Sequence, residues 1–232
     1  VTEVILALDV ATADEAERLL DRVPAVRWVK LGSMLMTREG GALARRLAAR
    51  GLDIFLDLKW HDIPNTVAGA VAQARELGVA MATVHALGGR RMLDAAVAAA
   101  GEQVRLVGVT VLTSHDAQGF SEVVGRRVPD LGAEVERLAR LTAEAGLAGV
   151  VCSPAEVALM RRILPAEARI VVPGIRRAGD RIGDQARVAT PGAAVAAGAT
   201  HLVVGRPIIE AADSAAAFRH FLDEARCPSP MD

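Results

Sequence analysis

Between Ile54 and Thr66 the chain reads IFLDLKWHDIPNT, and its charged residues are the place to look for chemistry. Ile54, Phe55, Leu56 and Leu58 have the apolar character of a buried strand, Asp57 and Lys59 are set into it, and Asp62 lies just past its end. Residues two apart on a strand point to the same face, so Asp57 and Lys59 are expected side by side. Asp62 falls in a loop that can aim it back at that face or into a neighbouring subunit. Pro64 opens a helix at its first turn, where a missing N–H costs nothing. Two carboxylates and an ammonium at the end of a buried strand are costly to desolvate unless chemistry needs them.

The lysines sharpen this expectation. The chain has 27 basic residues, yet Lys30 and Lys59 are its only lysines. Where a cation alone suffices, the chain uses arginine. A position that keeps lysine needs a compact point charge or an ammonium able to give up a proton, and a guanidinium supplies neither. Both lysines close apolar runs, VKLG and LDLKW, so both are expected at strand ends.

The elements that must position these groups alternate strand and helix. Short apolar runs mark strands at Val4–Asp9, Trp28–Gly32, Ile54–Lys59, Met81–His85, Arg105–Thr110, Gly149–Cys152, Arg169–Pro173 and His201–Gly205, as in a parallel sheet covered on its outer face. Ala-rich amphipathic segments between them mark helices at Asp14–Arg22, Gly40–Arg50, Asn65–Leu77, Met92–Ala100, Ala133–Ala145, Ala155–Leu164 and Gly192–Ala197. Gly51, Gly78, Gly146 and Gly198 each stand just before a strand, where glycine supplies a left-handed helix stop. The pattern predicts a (β/α)8 TIM barrel, a single domain over residues 1–232. An open doubly wound sheet is the alternative, but ALDVATADE after the first strand lacks its Gly-rich turn. Two connections, Leu112–Asp130 and Gly174–Gly192, are long enough to be lids or binding loops. The second is rich in arginine and glycine, a composition suited to closing over an anion.

Composition excludes several functions. A formal net charge of −1 gives no reason to expect nucleic acid or an anionic membrane as partner. Only 3% of residues are aromatic, with no tyrosine, which argues against a base-stacking surface. The most apolar run, from Pro191 to Gly205, is too short and too broken by Gly, Pro and His to span a bilayer. Glu3 and an immediate strand make the first residues unlike a signal peptide. Cys152 and Cys227 have neither CxxC nor metal spacing, so a reduced, cytoplasmic setting is expected. The five histidines form no ligand motif either. No metal site is expected.

On a barrel, polar residues at the C-terminal ends of strands mark the site. They are Asp9, Lys30, Asp57, Lys59, His85, Thr110 or Thr113, Ser153, Arg176, and the Gly205–Arg206 pair. His85 reads as a packed, hydrogen-bonded residue and not as a base. Gly205 and Arg206, with Pro207 able to start a short helix, make the phosphate grip common at this point of the fold. A phosphorylated substrate is expected.

DLKWHDIPNT at Asp57–Thr66 resembles the signature of the orotidine 5′-phosphate decarboxylases. The likeness continues through ALD at Ala7–Asp9, VKLG at Val29–Gly32, VHALGG at Val84–Gly89, VTVLTS at Val109–Ser114, VPGIR at Val172–Arg176, DQARVATP at Asp184–Pro191 and VVGRPI at Val203–Ile208. The resemblance implies conversion of orotidine 5′-phosphate to uridine 5′-phosphate, the last step of pyrimidine nucleotide synthesis, with no cofactor. It implies that Asp9 and Lys30 bind the ribose, and that Asp57, Lys59 and Asp62 form the charged core at the scissile carboxylate. It also implies that Thr113 and Ser114 face the pyrimidine, and that Arg176, Gln185, Gly205 and Arg206 hold the phosphate side. The resemblance further implies that Asp62 and Thr66 enter the partner's site, and hence a homodimer.

Loss of CO2 leaves a ring carbanion at C6 with no adjacent electron sink, work usually given to pyridoxal phosphate or thiamine. An alternating row of Lys30, Asp57, Lys59 and Asp62 offers an electrostatic route, in which Lys59 stabilises the anion and protonates it. Two rivals remain. One is a sugar-phosphate decarboxylase or aldolase of the same barrel, which shares Asp-x-Lys-x-x-Asp but uses Mg²⁺ and has Glu where this chain has Lys30. The other is a non-catalytic barrel that binds phosphometabolites.

Overall fold

The computed structural model describes residues 2–177 and 188–226. Eight parallel strands close into a barrel in chain order: β1 (Glu3–Ala7), β2 (Trp28–Gly32), β3 (Asp53–Trp60), β4 (Met81–His85), β5 (Arg105–Val109), β6 (Gly149–Val151), β7 (Arg169–Val172) and β8 (His201–Val204). β1 pairs with both β2 and β8, so no sheet edge is left and the open-sheet alternative fails. The helices that carry the chain between strands include α1 (Ala13–Arg22), α2 (Ser33–Glu39), α3 (Gly41–Ala49), α4 (Pro64–Glu76), α5 (Gly89–Ala100), α6 (Ala117–Val124), α7 (Leu131–Glu144), α8 (Val157–Ile163) and α9 (Pro191–Ala196). Two more follow β8: α10 (Arg206–Ile209) and α11 (Ser214–Arg226).

Several boundaries differ from the sequence reading. β1, β5, β6, β7 and β8 stop one or two residues early, so Asp9, Thr110, Cys152, Pro173 and Gly205 lie in the loops beyond them. The Leu112–Asp130 connection is not a plain loop, since it contains α6. Asp116 caps that helix by accepting the Gly119 N–H at 2.7 Å, and Gly125 stops it with φ +67°. It is too short for its apolar period to stand out. α2 and α11 were not expected either. The four glycine stops are as expected, with φ between +76° and +107°.

Two apolar layers hold the barrel. Outward residues of the strands pack against the helices, as Leu6, Leu31, Ile54, Val84 and Val172 do. A smaller cluster fills the interior, with Ile5, Trp28, Phe55, Met81, Val107 and Val203 among its members. Alternation along each strand then fixes what lies above that plug. Lys30 follows Trp28, Asp57 follows Phe55, and Thr83 follows Met81 on the inward side. Phe55 is 2% exposed and forms solid ground beneath the charges.

At the opposite end of the interior, the buried His201 ring meets Trp28 edge-on at 5.5 Å and its Nδ1 lies 2.8 Å from Thr200 Oγ1. Burial, helped by the charge of Arg169, lowers its pKa to about 4. Folded His201 is therefore neutral between pH 6.5 and 4, whereas the unfolded chain binds a proton there. Its contribution to stability is complete above pH 6.5 and is lost as the pH falls toward 4, a change of about 3 kcal/mol at most. Urea midpoints should fall over that window, and the fall should shrink in His201→Gln. A slope unaffected by the substitution would contradict this assignment.

Candidate active site

The charged groups assemble at the C-terminal mouth of the barrel. Leu8 donates its N–H to the Lys30 carbonyl at 3.0 Å, holding the chain beyond β1 beside β2 and bringing Asp9 to Lys30. Lys30 Nζ lies 2.9 Å from Asp9 Oδ1 and 3.8 Å from Asp57 Oδ2. Gly32 leaves room for that ammonium: a Cβ there would stand 3.1 Å from Lys30 Nζ. On its other oxygen, Asp57 accepts from Lys59 Nζ at 2.9 Å and from the Thr83 hydroxyl at 3.1 Å. The row is thus Asp9, Lys30, Asp57, Lys59, alternating in sign and neutral in sum. Its centre is the most sheltered part. The side chains of Lys30 and Asp57 are 12% and 15% exposed, against 53% for Asp9 and 40% for Lys59.

These four residues line a cleft of about 260 Å³. Phe55, Val151, Val203 and Ala7 give it an apolar floor, and Thr113 stands on its wall. Arg176, Gly205 and Arg206 line it from the last two strand ends. Arg176 is buried; its backbone N–H donates to Ala189 at 3.0 Å and its guanidinium to the Ile175 carbonyl at 2.8 Å. Gly205 caps α10, with Arg206 and Pro207 in the first turn. One end of the cleft is therefore cationic, and the other carries the balanced row.

Other expected residues are placed elsewhere. Asp62 is exposed, its Oδ1 accepting the Ile63 N–H at 2.6 Å, and within this chain it is not joined to Lys59. Thr66 is likewise exposed on α4 and outside the cleft. Thr110 is buried, its hydroxyl turned to the Val151 carbonyl at 3.5 Å, so Thr113 is the threonine at the cleft. Ser114 is exposed and Ser153 fully buried, and neither lines the cleft. Gln185 and Cys227 lie outside the described residues.

His85 is buried, stacks on His61 at 5.4 Å and accepts the Leu87 N–H at 3.3 Å. Burial, then the charges of His61 and Lys59, lower its pKa to about 4. It is a packed neutral ring at pH 7, as read from the sequence. Thr83 and Gly32 were missed as contributors to the site. The only sign of Thr83 was one hydroxyl in the otherwise apolar run MATV. Among the described residues, no group of three His, Cys, Asp or Glu side chains is placed to hold a metal ion.

Residues 2–221 match the model of the orotidine 5′-phosphate decarboxylase / HUMPS family. The chain is 54% identical over 217 residues to an orotidine 5′-phosphate decarboxylase of Halorhodospira halophila, covering 92% of this chain and 91% of that one. It is 49% identical over 214 residues to one from Laribacter hongkongensis, covering 90% and 87%. The crystal structure of an orotidine 5′-phosphate decarboxylase from Lactobacillus acidophilus superposes with a TM-score of 0.87 at 33% identity, covering 98% of this chain and all of that one.

Asp57 touches both ammoniums, so its loss leaves two positive groups facing each other in a sheltered cleft. Asp57→Ala should lower stability by about 2 kcal/mol through that uncompensated charge. Thermal melts of the two proteins at equal ionic strength check it, and unchanged melting would mean the row is not coupled.

Proposed function

This chain belongs to the orotidine 5′-phosphate decarboxylase / HUMPS family, and we propose that its reaction is the cofactor-free decarboxylation of orotidine 5′-phosphate to uridine 5′-phosphate. The observation that carries this reading over its sugar-phosphate rival is the position of Lys30. Its ammonium sits between the carboxylates of Asp9 and Asp57, the space a divalent cation would need.

The residues take the following parts. The substrate phosphate sits at the cationic end of the cleft, against the backbone N–H groups at Gly205 and the guanidinium groups of Arg206 and Arg176. Asp9 and Lys30 hold the ribose, and Thr113 faces the pyrimidine. The scissile carboxylate then lies over the charged row. When the C6–C bond breaks, its electron pair stays on C6 and CO2 departs. The Lys59 ammonium, tethered by Asp57, stabilises this charge as it forms, and its Nζ–H bond then breaks to supply the proton. Fixed charges aimed at the developing anion act with little reorganisation. Lys59 is 40% exposed along its side chain, so water can return the lost proton. Phosphate contacts far from C6 contribute binding energy that holds the reacting bond in place.

We further propose a two-fold homodimer in which Asp62 and Thr66 complete the partner's site. Support comes from their exposure in the single chain, beside an Ile63 that is 67% exposed. The enzyme is assigned to the cytoplasm on its cysteine usage alone. No helix among the described residues is long and apolar enough to cross a membrane.

The direct test is loss of orotidine 5′-phosphate absorbance on adding the protein in chelator. Turnover should persist there and collapse in Lys59→Arg while the nucleotide still binds, because a guanidinium does not give up its proton at neutral pH. Activity lost to the chelator and restored by Mg²⁺ would favour the rival, and normal turnover by Lys59→Arg would remove Lys59 from its role. For the shared site, mixing Lys59→Ala and Asp62→Ala subunits should restore activity, since heterodimers carry one intact site of two. No recovery despite proven subunit exchange would place Asp62 in its own chain's site.

A further inference from the structure

The strand that carries Asp57 and Lys59 is not regular. Leu56 of β3 pairs with Ala82 of β4, but Trp60 pairs with Val84, so residues 57, 58 and 59 stand opposite Thr83 alone. Lys59 absorbs the slip with φ +50°, and among the described residues it is the only non-glycine at positive φ. Such a backbone is unfavourable for a side-chain-bearing residue and persists only where the surroundings hold it. The slip also takes the Lys59 N–H out of the ladder. Buried amides need a partner, and this one finds Thr83 Oγ1 at 2.8 Å.

A hydroxyl has one proton to give. With a lone pair of Thr83 Oγ1 engaged by the Lys59 N–H, its proton goes to Asp57 Oδ1 at 3.1 Å, the oxygen that also holds Lys59 Nζ at 2.9 Å. The contacts form a closed ring: Lys59 backbone, Thr83 hydroxyl, Asp57 carboxylate, Lys59 ammonium. Thr83 is 0% exposed, so water does not reach this hydroxyl from outside. Its β-branch restricts χ1 and fixes the direction of the oxygen.

We infer that Thr83 is a positioning residue for the proton donor: it sets both the backbone of Lys59 and the carboxylate that aims its ammonium. The inference rests on the decarboxylation proposed above. It extends the machinery to a neutral side chain on the neighbouring strand that itself lines no part of the cleft. Removing the hydroxyl frees the root of Lys59 and one oxygen of Asp57 together, while Arg176, Gly205 and Arg206 at the phosphate end are untouched. The loss should therefore fall on kcat and spare binding.

Thr83→Val keeps the shape and removes both hydrogen bonds; Thr83→Ser keeps the hydroxyl and removes a methyl. With Val, kcat should fall by about 10- to 100-fold, the range expected when a reacting group is misplaced by about 1 Å. KM and the affinity for uridine 5′-phosphate should stay within about threefold, and Ser should retain most of the wild-type kcat. A purely structural role predicts instead that kcat follows thermal stability, whichever group is lost. Wild-type kcat in Thr83→Val, or an equal fall in Thr83→Ser, would overturn the inference. Should the valine variant not fold, Thr83→Cys, with a weak hydrogen-bonding thiol, replaces it under the same criteria. An inactive wild type would instead sink the proposed reaction, so the two failures are distinguishable.

Discussion

Everything at the mouth of this barrel depends on one carboxylate held by two ammoniums. Asp57 receives Lys59 on one oxygen and faces Lys30 with the other. At the 3.8 Å separation of the longer pair, attraction in an effective dielectric near 20 is about 4 kcal/mol. Withdrawing each ion from water costs several kcal/mol. The two terms nearly cancel, so the row adds little net stability. What it provides is a fixed field in a place where a neutral or apolar set would pack at least as well, and such a field is a requirement of the proposed reaction.

The fold meets this requirement by separating support from reactivity. Phe55 and Asp57 are inward neighbours on one strand, so the last apolar layer of the barrel interior lies directly under the first charged one. A floor packed to 2% exposure cannot yield when charges above it repel or attract. Reach comes from the loops. Asp9, Thr113, Arg176, Gly205 and Arg206 lie beyond strand ends, where the backbone is not bound to the ladder's direction and side chains from distant strands can converge. Gly32 shows the same logic by subtraction, since any side chain there would crowd the Lys30 ammonium.

Much of this was legible from residue type and spacing. Two lysines among 27 basic residues, both closing apolar runs, pointed to the two ammoniums that now flank Asp57. The glycine stops and continuous apolar strands are local signals, and they predicted the closed barrel. What escaped was set by partners distant in sequence. Thr83 lies 24 residues from Lys59, and no pattern within MATVH says that its hydroxyl meets a slipped neighbouring strand. Asp62 was expected near Lys59 or across an interface; only the folded chain has it exposed and turned onto its own loop. The short α6 was hidden for a different reason, because eight residues carry too few turns for a period to emerge.

The choice of lysine over arginine follows from the same constraint. In the proposed reaction the cation at Lys59 does two things in succession: it opposes a charge forming on carbon, then surrenders a proton to it. A guanidinium could do the first and would spread its charge over a plane too wide for one carbon. An ammonium concentrates the charge but sits on four rotatable bonds, and that freedom would blur the field. Here the freedom is removed at both ends. Asp57 holds the nitrogen, and the left-handed backbone turn at Lys59 sets the root. The strained turn is thus paired with a flexible cation, and the Lys59 N–H it takes out of the ladder is met by the Thr83 hydroxyl of the neighbouring strand. A prosthetic electron sink would stabilise a carbanion by delocalising it. The proposed reaction instead leaves the charge where it forms and meets it with an opposite charge already in place, which puts the whole demand on how accurately one side chain is held.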